Sequence, residues 1–95
     1  MLFHVKMTVR IPHDADPAKI KEVGEREHVR AAELQQQGKW LHLWRIVGQF
    51  SNISIFKVET PAELHAILDS LPFHPFMEVE VSALCQHPGA LAKDE

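Results

Sequence analysis

Two hydrophobic periods take turns along this chain, and their order leaves few folds open. Residues 2–11, "LFHVKMTVRI", alternate strictly: Phe3, Val5, Met7, Val9 and Ile11 face one way, and His4, Lys6, Thr8 and Arg10 the other. That is the period-two signature of a half-buried strand. The next stretch repeats at 3.6 residues. Asp16-Pro17 supplies an N-cap acceptor and a proline for the first turn, and Gly38 supplies the stop, which predicts a helix of about five turns between them. "KWLHLWRIVG" and "NISIFKV", joined through Gly48, Ser51 and Asn52, read as a hairpin. Thr60-Pro61-Ala62-Glu63 then forms a capping box ahead of a short helix carrying Leu64, Ile67 and Leu68. The prolines of "LPFHPF" end that helix, and "MEVEVSAL" (77–84) alternates once more. Strand, helix, strand, strand, helix, strand is the split βαβ pattern. It predicts an α+β ferredoxin-like fold, an antiparallel sheet with both helices on one face.

Ninety-five residues suffice for one core and not for two, so residues 1–95 are read as a single domain with 85–95 as a C-terminal arm. The second strand is apolar on both faces, with Leu41, Leu43 and Val47 alternating with Trp40, Trp44 and Ile46. Helices can cover only one of those faces. A second subunit is the simplest cover for the other, as in a dimeric α+β barrel, and in so short a chain an active site is expected at a subunit boundary.

Composition excludes several function classes. A net charge of −3 with mixed signs gives no reason to expect nucleic acid or an anionic membrane as partner. No apolar run approaches the roughly 20 residues a membrane span needs, and the first residues read as a strand rather than a signal peptide. The single cysteine, Cys85, allows no internal disulfide, suits a reducing cytoplasm, and is expected to be a small buried thiol. The seven histidines contain no pair at helical three- or four-residue spacing and none two apart on a strand. No metal site is expected.

One residue breaks the pattern of the long helix. With Ile20 at zero and about 100° per residue, Val23, Gly24, Ala31 and Leu34 fall within roughly 60°, while Lys21, Glu22, Glu25, Arg26, Arg30 and Glu33 lie to the flank or far side. Glu27 falls about 20° from the centre of the apolar stripe. Gly24, one turn earlier, costs roughly 1 kcal/mol against alanine in a helix and leaves room beside the carboxylate. Two readings follow. Glu27 pairs with an inward cation (His4, Lys6, His42 or Arg45) or snorkels out at the helix edge, or it is a desolvated acid with a raised pKa, suited to moving protons on carbon.

From residue 1 to about 88 the chain resembles the muconolactone isomerases, small enzymes of the β-ketoadipate pathway. The resemblance is carried by "MLFHVKMTV", "LQQQGKWLHLWRIVGQFSNISIF", "ELHAILDSLPFHPFMEVEV" and "LCQHP", most specifically by Trp-Arg-Ile, Gly and Asn-x-Ser within Gly38–Phe56. It implies a ring-like homo-oligomer, a decamer in the family, without metal or organic cofactor. It also implies a cofactor-independent double-bond shift that turns muconolactone into 3-oxoadipate enol-lactone, with Glu27 in the place of the family's proposed base. Asn52, Ser54, Arg45, Lys6 and His4 are candidates to hold the substrate's oxyanion and carboxylate, with Trp44 alongside them. Trp40 and Trp44 are also read as packing groups. A hairpin centred on Phe50 puts Trp44, Ile46, Ser54 and Phe56 on one face and Arg45 on the other; a centre one residue away changes that matching. The chain departs from the common family pattern at His28, Phe73, His74, Phe76 and Gln86. Those changes keep open a dehalogenase of chloromuconolactones or an isomerase of methyl-substituted ones. A cofactor-independent monooxygenase or a non-catalytic ligand-binding module shares the fold alone.

Overall fold

The computed structural model describes residues 1–92. The elements follow the expected order: β1 (Leu2–Val9), α1 (Pro17–Gln36), β2 (Trp40–Arg45), β3 (Ser51–Lys57), α2 (Pro61–Asp69) and β4 (Met77–Leu84). The four strands form one sheet in the order β2-β3-β1-β4, with every neighbouring pair antiparallel. Each helix therefore bridges two parallel strands with a third strand between them. That is the ferredoxin-like topology.

The helix boundaries have local causes. Asp16 caps α1 by accepting from the Ala18 N–H at 3.0 Å, with Pro17 next in the chain. Gly38 follows the C-cap with φ +74°, a left-handed conformation that a side chain resists. Thr60 caps α2 through the Glu63 N–H at 3.1 Å. The expected return bond from Glu63 is replaced by an ion pair to Lys39 at 3.7 Å. Each such cap contributes about 1 kcal/mol.

Phe3, Val5 and Met7 of β1 stand opposite Phe56, Ser54 and Asn52 of β3, so these six share one face. Ala31 and Leu34 of α1 and Leu64, Ile67 and Leu68 of α2 cover that face and complete the core. Full burial of one such large apolar side chain contributes about 1.5–3 kcal/mol. Ile11, expected to continue the inward set of β1, lies beyond the strand's end and is exposed.

β2 departs from the sequence expectation in its faces. A register shift between Trp40 and His42 interrupts the alternation, after which Leu43 stands opposite Ser54, Trp44 opposite Ile53 and Arg45 opposite Asn52. Trp40, Leu43 and Arg45 thus share the helix-covered face with Asn52 and Ser54, and His42 and Trp44 take the other. The hairpin is not centred on Phe50. Gly48, at φ +81°, lets the chain reverse earlier, and that moves Arg45 to the inner side and Trp44 to the outer. Cys85 also differs from expectation: it lies past the end of β4 and is exposed.

A candidate active site between the first helix and the hairpin

Glu27 is held from two sides. The phase of α1 turns it toward the sheet, and the turn after α2 brings a backbone donor to meet it. The Phe73 N–H donates to Glu27 Oε1 at 2.9 Å. That donor is available because Pro72 and Pro75 bend the chain into a tight turn, closed by the His74 N–H on the Leu71 carbonyl at 2.8 Å. The cation expected from the sequence is not the partner: among the described residues no Lys, Arg or His pairs with Glu27. Its second oxygen, Oε2, is buried without a hydrogen bond. Burial raises the Glu27 pKa above the ordinary carboxylate value, and the Phe73 N–H opposes that shift as the smaller effect. A desolvated carboxyl with one oxygen uncommitted can both release and accept a proton.

That side chain borders a cavity of about 380 Å³, within the range of small-molecule sites. Its walls include Gly24, His28 and Ala31 from α1, Trp40, Leu43 and Arg45 from β2, Asn52 from β3, and Phe50 and Phe73 from the turns. Gly24 does make room, but Phe73 takes part of it: a Cβ at position 24 would lie 3.7 Å from the Phe73 ring. Phe73 in turn meets Phe50 edge-to-face at 6.0 Å, and the Arg45 guanidinium sits 5.4 Å over the Phe50 ring. This stack sets a cation on the cavity wall. Arg45 also donates to the Gln49 carbonyl at 3.3 Å, and no carboxylate pairs with it among the described residues.

The polar groups expected from the sequence divide into two sets. Asn52 and Arg45 line the cavity together with Glu27. Ser54 does not line it; wholly buried behind Asn52, it donates its hydroxyl to Asn52 Oδ1 at 2.7 Å. With that oxygen occupied, Asn52 keeps its amide N–H groups for other partners. His4 and Lys6 pair with Ile55 and Ile53 on the outer face of the sheet. Trp44 is there too, 55% exposed and stacked on His42 at 4.8 Å. None of these three lines the cavity.

Of the departures from the family pattern, His28 and Phe73 border the cavity, and His74, Phe76 and Gln86 do not. His74 turns to Asp69 at 3.3 Å, and Gln86 donates to the Ala92 carbonyl at 2.8 Å. Trp40 is packed in the core as its composition suggested, 4% exposed and 4.8 Å from the Phe56 ring. What the sequence did not reveal is that it also borders the cavity. Its indole N–H has no hydrogen-bond partner among the described residues. Leaving such a donor unmade costs about 1–3 kcal/mol. Among the described residues no group of three His, Cys, Asp or Glu side chains is placed to hold a metal ion, and no helix is long and apolar enough to cross a membrane.

Known proteins share this architecture over its full extent. A solved muconolactone isomerase structure superposes with a TM-score of 0.94 at 47% identity, covering 100% of this chain and 99% of that one. A 5-chloro-2-hydroxyhydroquinone dehydrochlorinase from Burkholderia phenoliruptrix superposes with a TM-score of 0.59 at 17% identity, a likeness of fold alone. Muconolactone Delta-isomerase 2 of Acinetobacter lwoffii is 48% identical over 95 residues, covering 100% of this chain and 99% of the relative. The muconolactone Delta-isomerase of Rhodococcus opacus is 52% identical over 86 residues, 90% of this chain and 92% of its own. The family model for muconolactone delta-isomerase matches residues 1–90. By sequence and by fold, the chain belongs to the muconolactone delta-isomerase family.

Proposed function

We propose that this protein isomerises muconolactone to 3-oxoadipate enol-lactone, with Glu27 as the single proton carrier. The observation that carries this reading is the half-made Glu27 carboxyl: one oxygen fixed by the Phe73 N–H, the other buried and unpartnered on a cavity of ligand size.

The reaction needs little else. The proton on the ring carbon that bears the carboxymethyl arm is acidified through the conjugated lactone. Glu27 Oε2 takes that proton, and the electron pair passes through the ring to the lactone oxygen, giving a furan-like dienolate. The same carboxyl then returns the proton to the carbon beside the carbonyl. The two carbons lie across one five-membered ring, so one carboxyl serves both. The raised pKa narrows the gap between the acid and the carbon it must deprotonate and makes the return step easy. Arg45, on the cavity wall beside Phe50, is suited to the substrate's free carboxylate. Asn52, with its oxygen held by Ser54, offers N–H donors toward the ring. The chemistry calls for no metal or organic cofactor.

Exposed apolar side chains on and beside the outer sheet face support a homo-oligomer. Trp44 is 55% exposed and Leu84 40% exposed on the outer side of the sheet, and Val47 beyond β2 is 93% exposed. Surface of this kind in one chain is suited to burial against another copy; a ring of ten is the reading the family suggests. The single exposed cysteine suits a reducing, cytoplasmic setting. The test of function is direct: purified protein is mixed with muconolactone and the loss of substrate is followed spectroscopically. Turnover supports the reading, and a folded protein without turnover removes it.

A further inference from the structure

The unpartnered Glu27 Oε2 and the unpartnered Trp40 Nε1 are the buried side-chain polar atoms left without hydrogen bonds among the described residues, and both residues border the same cavity. One is an oxygen that takes a proton; the other is an N–H that can only donate. Their positions relative to Arg45 follow from the fold. The short link Gln37–Lys39 makes β2 run back along α1, so Trp40 lies near the Ala31 end of the helix. Arg45, five residues on, lies with Phe50 and Phe73 near the Gly24 end. Glu27 stands between them.

We propose that the Trp40 indole N–H is a catalytic hydrogen-bond donor to the lactone carbonyl oxygen, where the dienolate charge develops. This rests on the isomerase reading above. The substrate carries its carboxylate arm and its lactone carbonyl on either side of the ring oxygen. With the arm on Arg45 and the reacting carbons beneath Glu27, the carbonyl is directed toward the Trp40 end. A neutral donor suits that place. It gains strength as the oxygen becomes anionic, and it adds no charge that would hold Glu27 ionised against proton return. Indole is also rigid here: Trp40 is 4% exposed and its ring packs on Phe56 with centroids 4.8 Å apart and planes tilted by 30°. A donor fixed by packing needs no reorganisation as charge forms.

Two measurements test this. Trp40→Phe keeps an aromatic ring on Phe56 and removes only the N–H and part of the ring. The expected result is a fall in kcat of roughly 100-fold, with KM little changed, the acid limb of the pH profile unmoved and the melting temperature held. Wild-type kcat in a folded Trp40→Phe variant overturns the assignment. The second measurement uses the unaltered protein. The saturated lactone, 5-oxotetrahydrofuran-2-acetate, has no double bond to move and serves as an inert probe. On its addition the indole ¹H–¹⁵N resonance of Trp40 is expected to shift downfield, while that of Trp44, on the outer face, stays in place. Saturating binding with no Trp40 shift overturns the proposal. Loss of activity in Glu27→Gln beside full activity in Trp40→Phe removes only the tryptophan's role, whereas an active Glu27→Gln removes the reading beneath it.

Discussion

The carboxyl of Glu27 on the first helix is fixed by the backbone N–H of Phe73, 2.9 Å away and 46 positions along the chain. One bond therefore ties the proposed proton carrier to the proline-bounded turn after the second helix, and leaves its other oxygen buried without a hydrogen bond.

The first consequence concerns pH. Burial raises the Glu27 pKa, and the base must be ionised to start the reaction. The rate under kcat/KM conditions is expected to climb with pH through that raised value and then level off, so the acid limb lies above the usual carboxylate range. A profile flat down to ordinary carboxylate pH contradicts this.

The same shift has a stability counterpart of opposite benefit. A carboxyl with a folded-state pKa above its unfolded value binds more protons when folded. Its contribution is therefore fully present below the unfolded pKa and is lost as pH rises through the folded pKa. Glu27→Gln has no such proton to lose. Denaturant melts across that window are expected to show the variant gaining on the parent as pH rises. A constant difference counts against a desolvated Glu27.

Arg45 is expected to act mainly through binding. Its guanidinium leans on Phe50 and has no carboxylate partner among the described residues, so Arg45→Gln frees no buried acid. A hydrogen bond to a charged group is worth about 1.5–3 kcal/mol, which translates to a roughly 10- to 100-fold loss in kcat/KM. Most of that is expected in KM, and steady-state kinetics with the muconolactone carboxylate intact measure it. An unchanged KM assigns Arg45 elsewhere.

Gly24 offers a stability gain that tests the shape of the cavity. A Cβ there meets the Phe73 ring at 3.7 and 3.9 Å, ordinary contact distances. Gly24→Ala is expected to stabilise the helix by about 1 kcal/mol, visible as a higher melting temperature. Destabilisation would mean that the Phe73 ring lies closer to the helix than these distances allow.

How far the sequence could be read varies with the kind of interaction. Glu27 was legible because helical phase is a property of local spacing, and the capping residues Asp16 and Thr60 were legible for the same reason. Its partner was not: a backbone N–H from Phe73 leaves no mark in residue identity, whereas the cations His4, Lys6, His42 and Arg45 do, and none of them pairs with Glu27 among the described residues. The faces of the second strand were hidden by two features: the reversal at Gly48, ahead of Phe50, which pairs Arg45 with Asn52, and the irregularity between Trp40 and His42, which turns Trp40 inward. The earlier reversal carried Arg45 into the cavity and Trp44 and His42 to the outer face. Trp40 was read as packing, which it is, but no rule of spacing says whether a core tryptophan finds a partner for its N–H.

Glu27 is proposed to carry the proton alone, and the turnover of Glu27→Gln tests that role most closely. The glutamine keeps the size of the side chain and an oxygen for the Phe73 N–H, so the fold is expected to hold. Muconolactone consumption, followed spectroscopically, is expected to fall by about 10²–10⁴-fold. Turnover near that of the unaltered protein, from a folded variant, would contradict the account.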